Sequence, residues 1–261
     1  MDFGQLIGAV PLWVLFCLTT AICMLSVETG TYLAKLVLRR NAKEPEAPLG
    51  SLVGSLLGLL AFILAFTFGM TASRFEARKQ LVLDEANALG TAYLRAGLLP
   101  SSSKVEVRKL LREYTEIRLG GTHATIPAVM THSDRIHDLL WTQAESLVTV
   151  DMDSELRTLF ISSLNQVIDL HESRLTVGLR YRIPGSIWAS LYCLTVISMT
   201  ALGYQVGMAG STRLRGMPLM SLAVSLVILM IADMDNPGDG RFHVSHQPLV
   251  DTHQMMLRHD D

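Results

Sequence analysis

The chain has 261 residues, 49% of them hydrophobic, a mean hydropathy above zero and a net charge of −2. That apolar fraction and that hydropathy are together high for a soluble domain of this size and point to the membrane class. The charge balance argues against a general nucleic-acid binder. The three cysteines, Cys17, Cys23 and Cys193, all stand inside apolar runs, so neither a disulfide framework nor a cysteine metal site is expected.

Four runs approach the ~20 residues needed to cross ~30 Å of hydrocarbon. The first is Val10 to Val27, prolonged as helix to Arg40. No basic residue precedes it and no convincing small-residue cleavage site follows, so it reads as a membrane span and not as a signal peptide. Glu28 follows directly, before Thr29, Thr31 and Tyr32. An acid within a membrane helix is costly and is by default a functional candidate. The bland alternative is that the span ends near Val27 and places Glu28 at the headgroups, or that Arg213 or Arg215 pairs with it.

A short polar link, Arg39 to Pro48, leads to the second run, Leu49 to Ala72. Seven small residues fall on one stripe of this helix: Gly50, Gly54, Gly58, Ala61, Ala65, Gly69 and Ala72. Such stripes let helices approach closely in a bilayer, so packing is the preferred reading over lining water. Beside the stripe stand Phe62 and Phe66, one turn apart. The run passes without a break into Arg74, Phe75, Glu76, Arg78 and Lys79. Phenylalanines in that arrangement can form a constriction where several helices ring an axis. Ordinary helix packing would use the same residues.

The middle region, Ser73 to Pro184, reads as helical throughout. Val105, Leu110, Leu111, Tyr114, Ile117 and Leu119 recur at helical spacing; so do Leu139, Leu140, Leu147 and Val148, and then Leu156, Leu159, Phe160, Leu164, Val167, Ile168 and Leu175. Gly97 to Ser103 is a break, with Ser101, Ser102 or Ser103 as cap because Glu106 follows Ser103 at the capping-box spacing. A second break runs from Gly120-Gly121 to Pro127. Asn165, Asp169 and Glu172 share a helix face. With Glu76, Asp84 and Glu85 they can line a vestibule that concentrates cations. Equally, these acids can form a salt-bridge network with Arg74, Arg78 or Arg95, with His171 and Arg174 nearby.

Pro184 marks the return to the membrane. The third run is Ile187 to Val206 and the fourth Met217 to Ala232, joined by Gly207 to Gly216. Asp233 to Gly240 suggests a calcium loop but fails the template: Val244 stands where its closing Glu belongs, so a turn closing the last span is preferred. The tail holds His243, His246, His253 and His259 with Asp251, without a helix signal to fix metal geometry and with Pro248 interrupting. No phosphate loop, nucleophile elbow or zinc signature is present, so an enzyme is not expected.

The expected fold is therefore an all-α membrane protein of four transmembrane helices with a helical domain between spans two and three. Its parts are residues 1–72, with spans near 10–27 and 49–72; a soluble domain at 73–184; residues 185–234, with spans near 187–206 and 217–232; and a tail at 235–261. Lys35, Arg39, Arg40 and Lys43 after the first span favour short loops inside and the middle region outside. Arg74, Arg78, Lys79, Arg174, Arg180 and Arg182 at the membrane ends of the middle region oppose that orientation.

The segment from Phe62 through Phe66, with Arg74-Phe75-Glu76-Ala77-Arg78-Lys79 beyond it, resembles the pore helix of bestrophins. By this match the neck positions are Gly58, Phe62 and Phe66, with Gly58 departing from the bulky aliphatic residue often found there. The rest of the chain resembles a bestrophin-like group of bacterial membrane proteins. The matching stretches are Asp84 to Arg95, Val167 to Arg174 and Asp233 to Pro237. The resemblance implies a homopentamer in a bacterial inner membrane, with both termini and the middle region cytosolic. Its implied partners are the lipid bilayer, further copies of the chain and small inorganic ions on the five-fold axis; no cofactor is implied. The alternative is a non-conducting membrane scaffold or sensor whose helical domain binds a partner.

Overall fold

The computed structural model describes residues 4, 7, 8, 10–40, 46–120, 126–209, 216–236 and 242–259. Among these, every regular element is a helix: α1 (Leu12–Arg39), α2 (Glu46–Ala96), α3 (Ser101–Gly120), α4 (Ile126–Ser146), α5 (Ser154–Leu175), α6 (Gly185–Met208), α7 (Met217–Asp235) and α8 (Gln247–Arg258). A π-helical turn, Thr176–Arg180, closes α5. Proline marks many of the starts. Pro11 and Pro184 precede α1 and α6, and Pro218 and Pro248 stand in the first turns of α7 and α8. Its fixed φ suits a first helical turn, where its missing N–H leaves no bond unmade.

Two compact units result: Met1–Phe75 with Arg182–His243, and Glu76–Tyr181 with Val244–Asp261. The first holds helices long and apolar enough to cross a membrane, namely α1, the Leu49 end of α2, α6 and α7. Here α1 packs on α6 and α7. Leu15, Val27, Leu60, Leu64, Trp188, Leu191, Met199, Ile228 and Ile231 make its core. Many hydroxyls within these spans bond back to their own helix, as Thr67 does to Ile63 O at 2.7 Å and Ser225 to Ser221 O at 2.7 Å, while Thr19 and Ser198 reach across to Tyr192 and Leu56 O. In hydrocarbon no water is at hand to satisfy them otherwise.

Close packing of small residues falls elsewhere than on the Gly50-to-Ala72 stripe. It joins α1 to α6. A Cβ at Gly30 would stand 2.6 Å from Tyr204 N, one at Gly207 would stand 2.6 Å from Ala34 Cβ, and one at Gly203 would overlap the Val27 carbonyl. Around Gly54, Gly58 and Gly69 there is open space among the described residues. Within the chain it is Gly30, Gly203 and Gly207 that bring the backbones of α1 and α6 together, which leaves the stripe on α2 open to a helix of another copy.

In the second unit, α3 packs against α4 and α8, and α4 against α5. Leu89, Tyr93, Leu111, Tyr114, Leu140, Leu147, Phe160, Leu164, Leu249 and Met256 are fully buried in one core. Several of the periodic residues stay outside it. Val105, Leu139, Val148 and Leu159 are exposed, and Leu147 and Val148 lie beyond the end of α4. The serine cap is also displaced. Helix α3 already opens at Ser101, Lys104 N–H donates to Pro100 O at 2.9 Å, and Glu106 reaches forward to Lys109 at 3.9 Å.

The tail is corrected most. Residues 247–258 are helical, Pro248 begins that helix, and Tyr93 OH donates to Met256 O at 2.9 Å. Leu249 and Met256 recur seven apart on one face, which buries both in the core. Leu249→Ala is expected to cost about 2–5 kcal/mol. Limited proteolysis, releasing the C-terminal segment faster than in wild type, checks it.

The last span also runs further than expected, through Asp233 and Asp235, which are buried at its end. Asp235 accepts the Ile183 N–H at 3.1 Å and pairs with Arg74 at 3.7 Å, tying the start of α6 to the end of α7. Lys43, Glu44, Gly121, Arg213, Arg215 and residues 237–240 lie outside the described residues.

Candidate functional site

Helix α2 shows opposite characters on its two sides in the membrane. Val53, Leu60, Leu64, Thr67 and Thr71 are buried and recur at steps of seven, four and three residues. At about 100° per residue they fall within one narrow sector. Gly58, Phe62, Phe66 and Gly69 lie roughly 180° away by the same count. Phe62 is 64% exposed and Phe66 59% exposed. The three neck candidates thus share a face that is left uncovered among the described residues.

Glu28 sits within α1, not at its end, and is exposed. Its neighbours Thr29 and Thr31 turn back to Leu25 O and Glu28 O, each within 2.8 Å. Its suggested partners Arg213 and Arg215 are outside the described residues.

The acidic and basic candidates of the middle region separate into three groups. Asp84, Asn165 and Asp169, together with Asn87, Ser162 and Gln166, line a polar hollow of about 520 Å³ between α2 and α5. Helical spacing explains the set, since 162, 165, 166 and 169 form one stripe of α5. Glu172 is exposed and is not among the residues lining the hollow. Glu76 pairs with Lys79 at 3.4 Å on an exposed surface. Arg74 belongs to the membrane unit through Asp235, Arg95 donates to Leu159 O at 2.8 Å, and Arg78 is half-buried.

Glu85 alone is drawn inside. It shares a stripe with Val82, Ala86, Leu89, Ala92 and Tyr93, so the burial of that face carries its carboxylate to zero exposure. There it meets Arg174, Arg118 at 3.3 Å and the Tyr114 hydroxyl, which donates at 2.7 Å. The expected partners Arg74, Arg78 and Arg95 are therefore corrected to Arg118 and Arg174. Burial by itself raises the Glu85 carboxyl pKa. The two guanidinium groups and the hydrogen bonds from Tyr114 and Arg174 outweigh it and hold the carboxyl below its ordinary value. Burial and the neighbouring Glu85 charge push the Tyr114 hydroxyl well up, so it stays protonated.

Beyond Tyr114 the network continues to His171, expected near these acids, and through it to Asp134 and His137, which the sequence did not single out. Tyr114 Oη lies 3.0 Å from His171 Nδ1. The His171 ring meets His137 at 4.8 Å between centroids, and Asp134 Oδ1 is 3.8 Å from His171 Nε2. Burial, then His137 and Arg118, press the His171 pKa down to about 4. The available signal was Asp134 and His137 three apart, on the same face of a helix whose neighbours Ile136 and Leu140 are apolar.

Comparison with known proteins follows the same lines. The bestrophin-like domain family matches residues 19–249. No curated protein matches the sequence. Among solved structures, a point variant of a bacterial bestrophin homologue from Klebsiella pneumoniae superposes with a TM-score of 0.67 at 14% identity, covering 92% of this chain and 97% of that one. A second variant of the Klebsiella homologue gives 0.65 at 14% identity, over 95% and 98%. Identities that low speak for the fold, an all-helical one with four apolar spans. With the family matched across most of its length, the chain belongs to the bestrophin-like family of membrane proteins.

Proposed function

We propose that the chain assembles as a homopentameric channel in a bacterial inner membrane and passes small ions along the shared axis. Phe62 and Phe66 form its hydrophobic neck. The observation that carries this reading is the uncovered face of α2, where two large aromatics stand on the side opposite the helix's internal seam. Gly58 widens the level next to them. Rings of phenylalanine resist water without any titratable group, so small changes in diameter can switch conduction by wetting and dewetting. The middle unit is taken as cytosolic. Asp84 and Asp169 beside the polar hollow then supply a vestibule that raises the local cation concentration.

Planar-bilayer recording checks the neck. Phe66→Ala is expected to raise single-channel conductance several-fold and to lengthen open periods. Unchanged conductance and gating would remove the neck assignment. A monomer or dimer in detergent, measured by native mass spectrometry, would end the pentamer and the pore with it. For orientation, a cysteine at the exposed Val148 in a background lacking Cys17, Cys23 and Cys193 is expected to resist impermeant reagent added from the periplasmic side.

A further inference from the structure

We propose that Asp134, His137 and His171 hold one divalent transition-metal ion of the zinc type within the middle helical unit. The starting point is two buried histidines whose Nε2 atoms have no hydrogen-bond partner among the described residues. His171 is 0% exposed and His137 8%. An unpaired ring nitrogen in a protein interior is costly and requires a cause. Here the two rings converge, with centroids 4.8 Å apart. One carboxylate oxygen of Asp134 and one ring nitrogen from each histidine all lie within 4.8 Å of one another. Two imidazoles and a carboxylate from three side chains, with one position left open, make a donor set that zinc commonly takes. Calcium and magnesium prefer oxygen ligands throughout, which this set does not offer.

The hydrogen-bond chain behind the cluster prepares it. Glu85 accepts the only proton of the Tyr114 hydroxyl. The Tyr114 oxygen can then only accept from His171, so His171 Nδ1 carries the ring proton. Its Nε2 is left with a bare lone pair, the form that binds metal. A ligating histidine characteristically donates its other ring nitrogen to a carboxylate or carbonyl, and here a tyrosine relays that bond to Glu85. Asp134 brings the one negative charge to the ion itself. Glu85 pairs with Arg118 and Arg174, and the exposed Asp134 gives an ion a route in from solvent. Binding would contract this spacing to metal–ligand bonds of ~2.0–2.2 Å, and Asp134, exposed on α4, has room to move toward the ion. A bound ion would join α4 to α5 and leave a water in its fourth position.

The test uses the full chain in detergent, stripped with chelator and titrated with Co²⁺ as an optical probe and with Zn²⁺ in competition. One ion per chain with tetrahedral Co²⁺ bands is expected, together with a higher melting temperature in Zn²⁺. Asp134→Asn, at an exposed position that leaves the core intact, is expected to weaken binding at least ten-fold. Tyr114→Phe, acting as a positioning change through His171, is expected to weaken it by about 10–100-fold. His253→Gln in the C-terminal helix should leave binding unchanged. Absence of stoichiometric binding, or binding lost with His253→Gln but kept in Asp134→Asn, would overturn the site.

Discussion

Glu85→Ala is expected to be the most damaging single change in the middle unit, lowering its stability by about 3–5 kcal/mol. The reason is what the change leaves behind. Arg174 and Arg118 retain side-chain exposures of only 14% and 10%, so both charges would lose their shared counter-ion where water can barely reach them. Tyr114 would lose its acceptor in the same step. For a unit of this size that loss corresponds to a fall in melting temperature of roughly 10–25 °C. Circular dichroism of the detergent-purified protein reads it directly. Replacing the whole group with apolar residues of similar volume should cost far less, because the penalty comes from the uncompensated charges and not from the missing pair.

Glu85 also makes a pH prediction of definite sign. Its folded pKa is depressed, so the unfolded chain binds the proton more readily. The stability it contributes is fully present above the ordinary glutamate value of about 4.3. It is lost as pH falls below that value and through the lower folded one. Melting temperatures taken from pH 6 down to pH 3 should therefore fall less steeply in Glu85→Gln than in wild type. Parallel slopes would mean that Glu85 is not held ionised by Arg118 and Arg174.

Gly203→Leu is expected to be equally severe in the membrane unit, for a different reason. A Cβ there would lie 2.8 Å from the Val27 carbonyl carbon and 2.9 Å from its Cα. These are backbone atoms and no rotamer change moves them away. Overpacking typically costs about 1–3 kcal/mol, and a backbone-to-backbone clash belongs at or above the upper end. Loss of α1 from α6 would also strain the Thr19–Tyr192 hydroxyl contact at 2.8 Å farther along the same seam. Gly58→Leu is the matched control, since among the described residues nothing lies within 4 Å of its Cβ position. Size-exclusion profiles should show the Gly203 variant aggregated or absent and the Gly58 variant folded. In bilayers Gly58→Leu should lower conductance, because it adds a third apolar level next to the phenylalanines.

The contrast between these two glycines shows where a linear reading stops. Both belong to small-residue patterns, and the stripe on α2 is the longer one. Yet the tight contact is made by Gly30, Gly203 and Gly207, on helices more than 170 positions apart in the chain. A small stripe states only that close approach is possible. Which partner arrives depends on the packing of the other spans. Pro248 carries a similar lesson. It looked like an interruption, but at the first turn of a helix proline is favourable, and Leu249 and Met256 show the buried face once the core is assembled.

What the sequence by itself determined was set by local physics. Run lengths against bilayer thickness marked the apolar spans. Period-3.6 spacing marked the helices between them, and Pro184 marked the return to the membrane. The matching motifs from Asp84 to Arg95 and from Val167 to Arg174 pointed to the family. The tertiary structure alone decided which of two adjacent acids is buried. Asp84 and Glu85 differ by about 100° on the helix, which turns one to a polar hollow and the other into the core. It also brought Glu85 to Arg118 and Arg174, and His171 to His137 and Asp134, across 33, 89 and 34 to 37 positions of chain. Hydropathy and periodicity are properties of neighbours along a helix. Charge pairing and metal-ligand geometry belong to side chains that become neighbours only when helices pack.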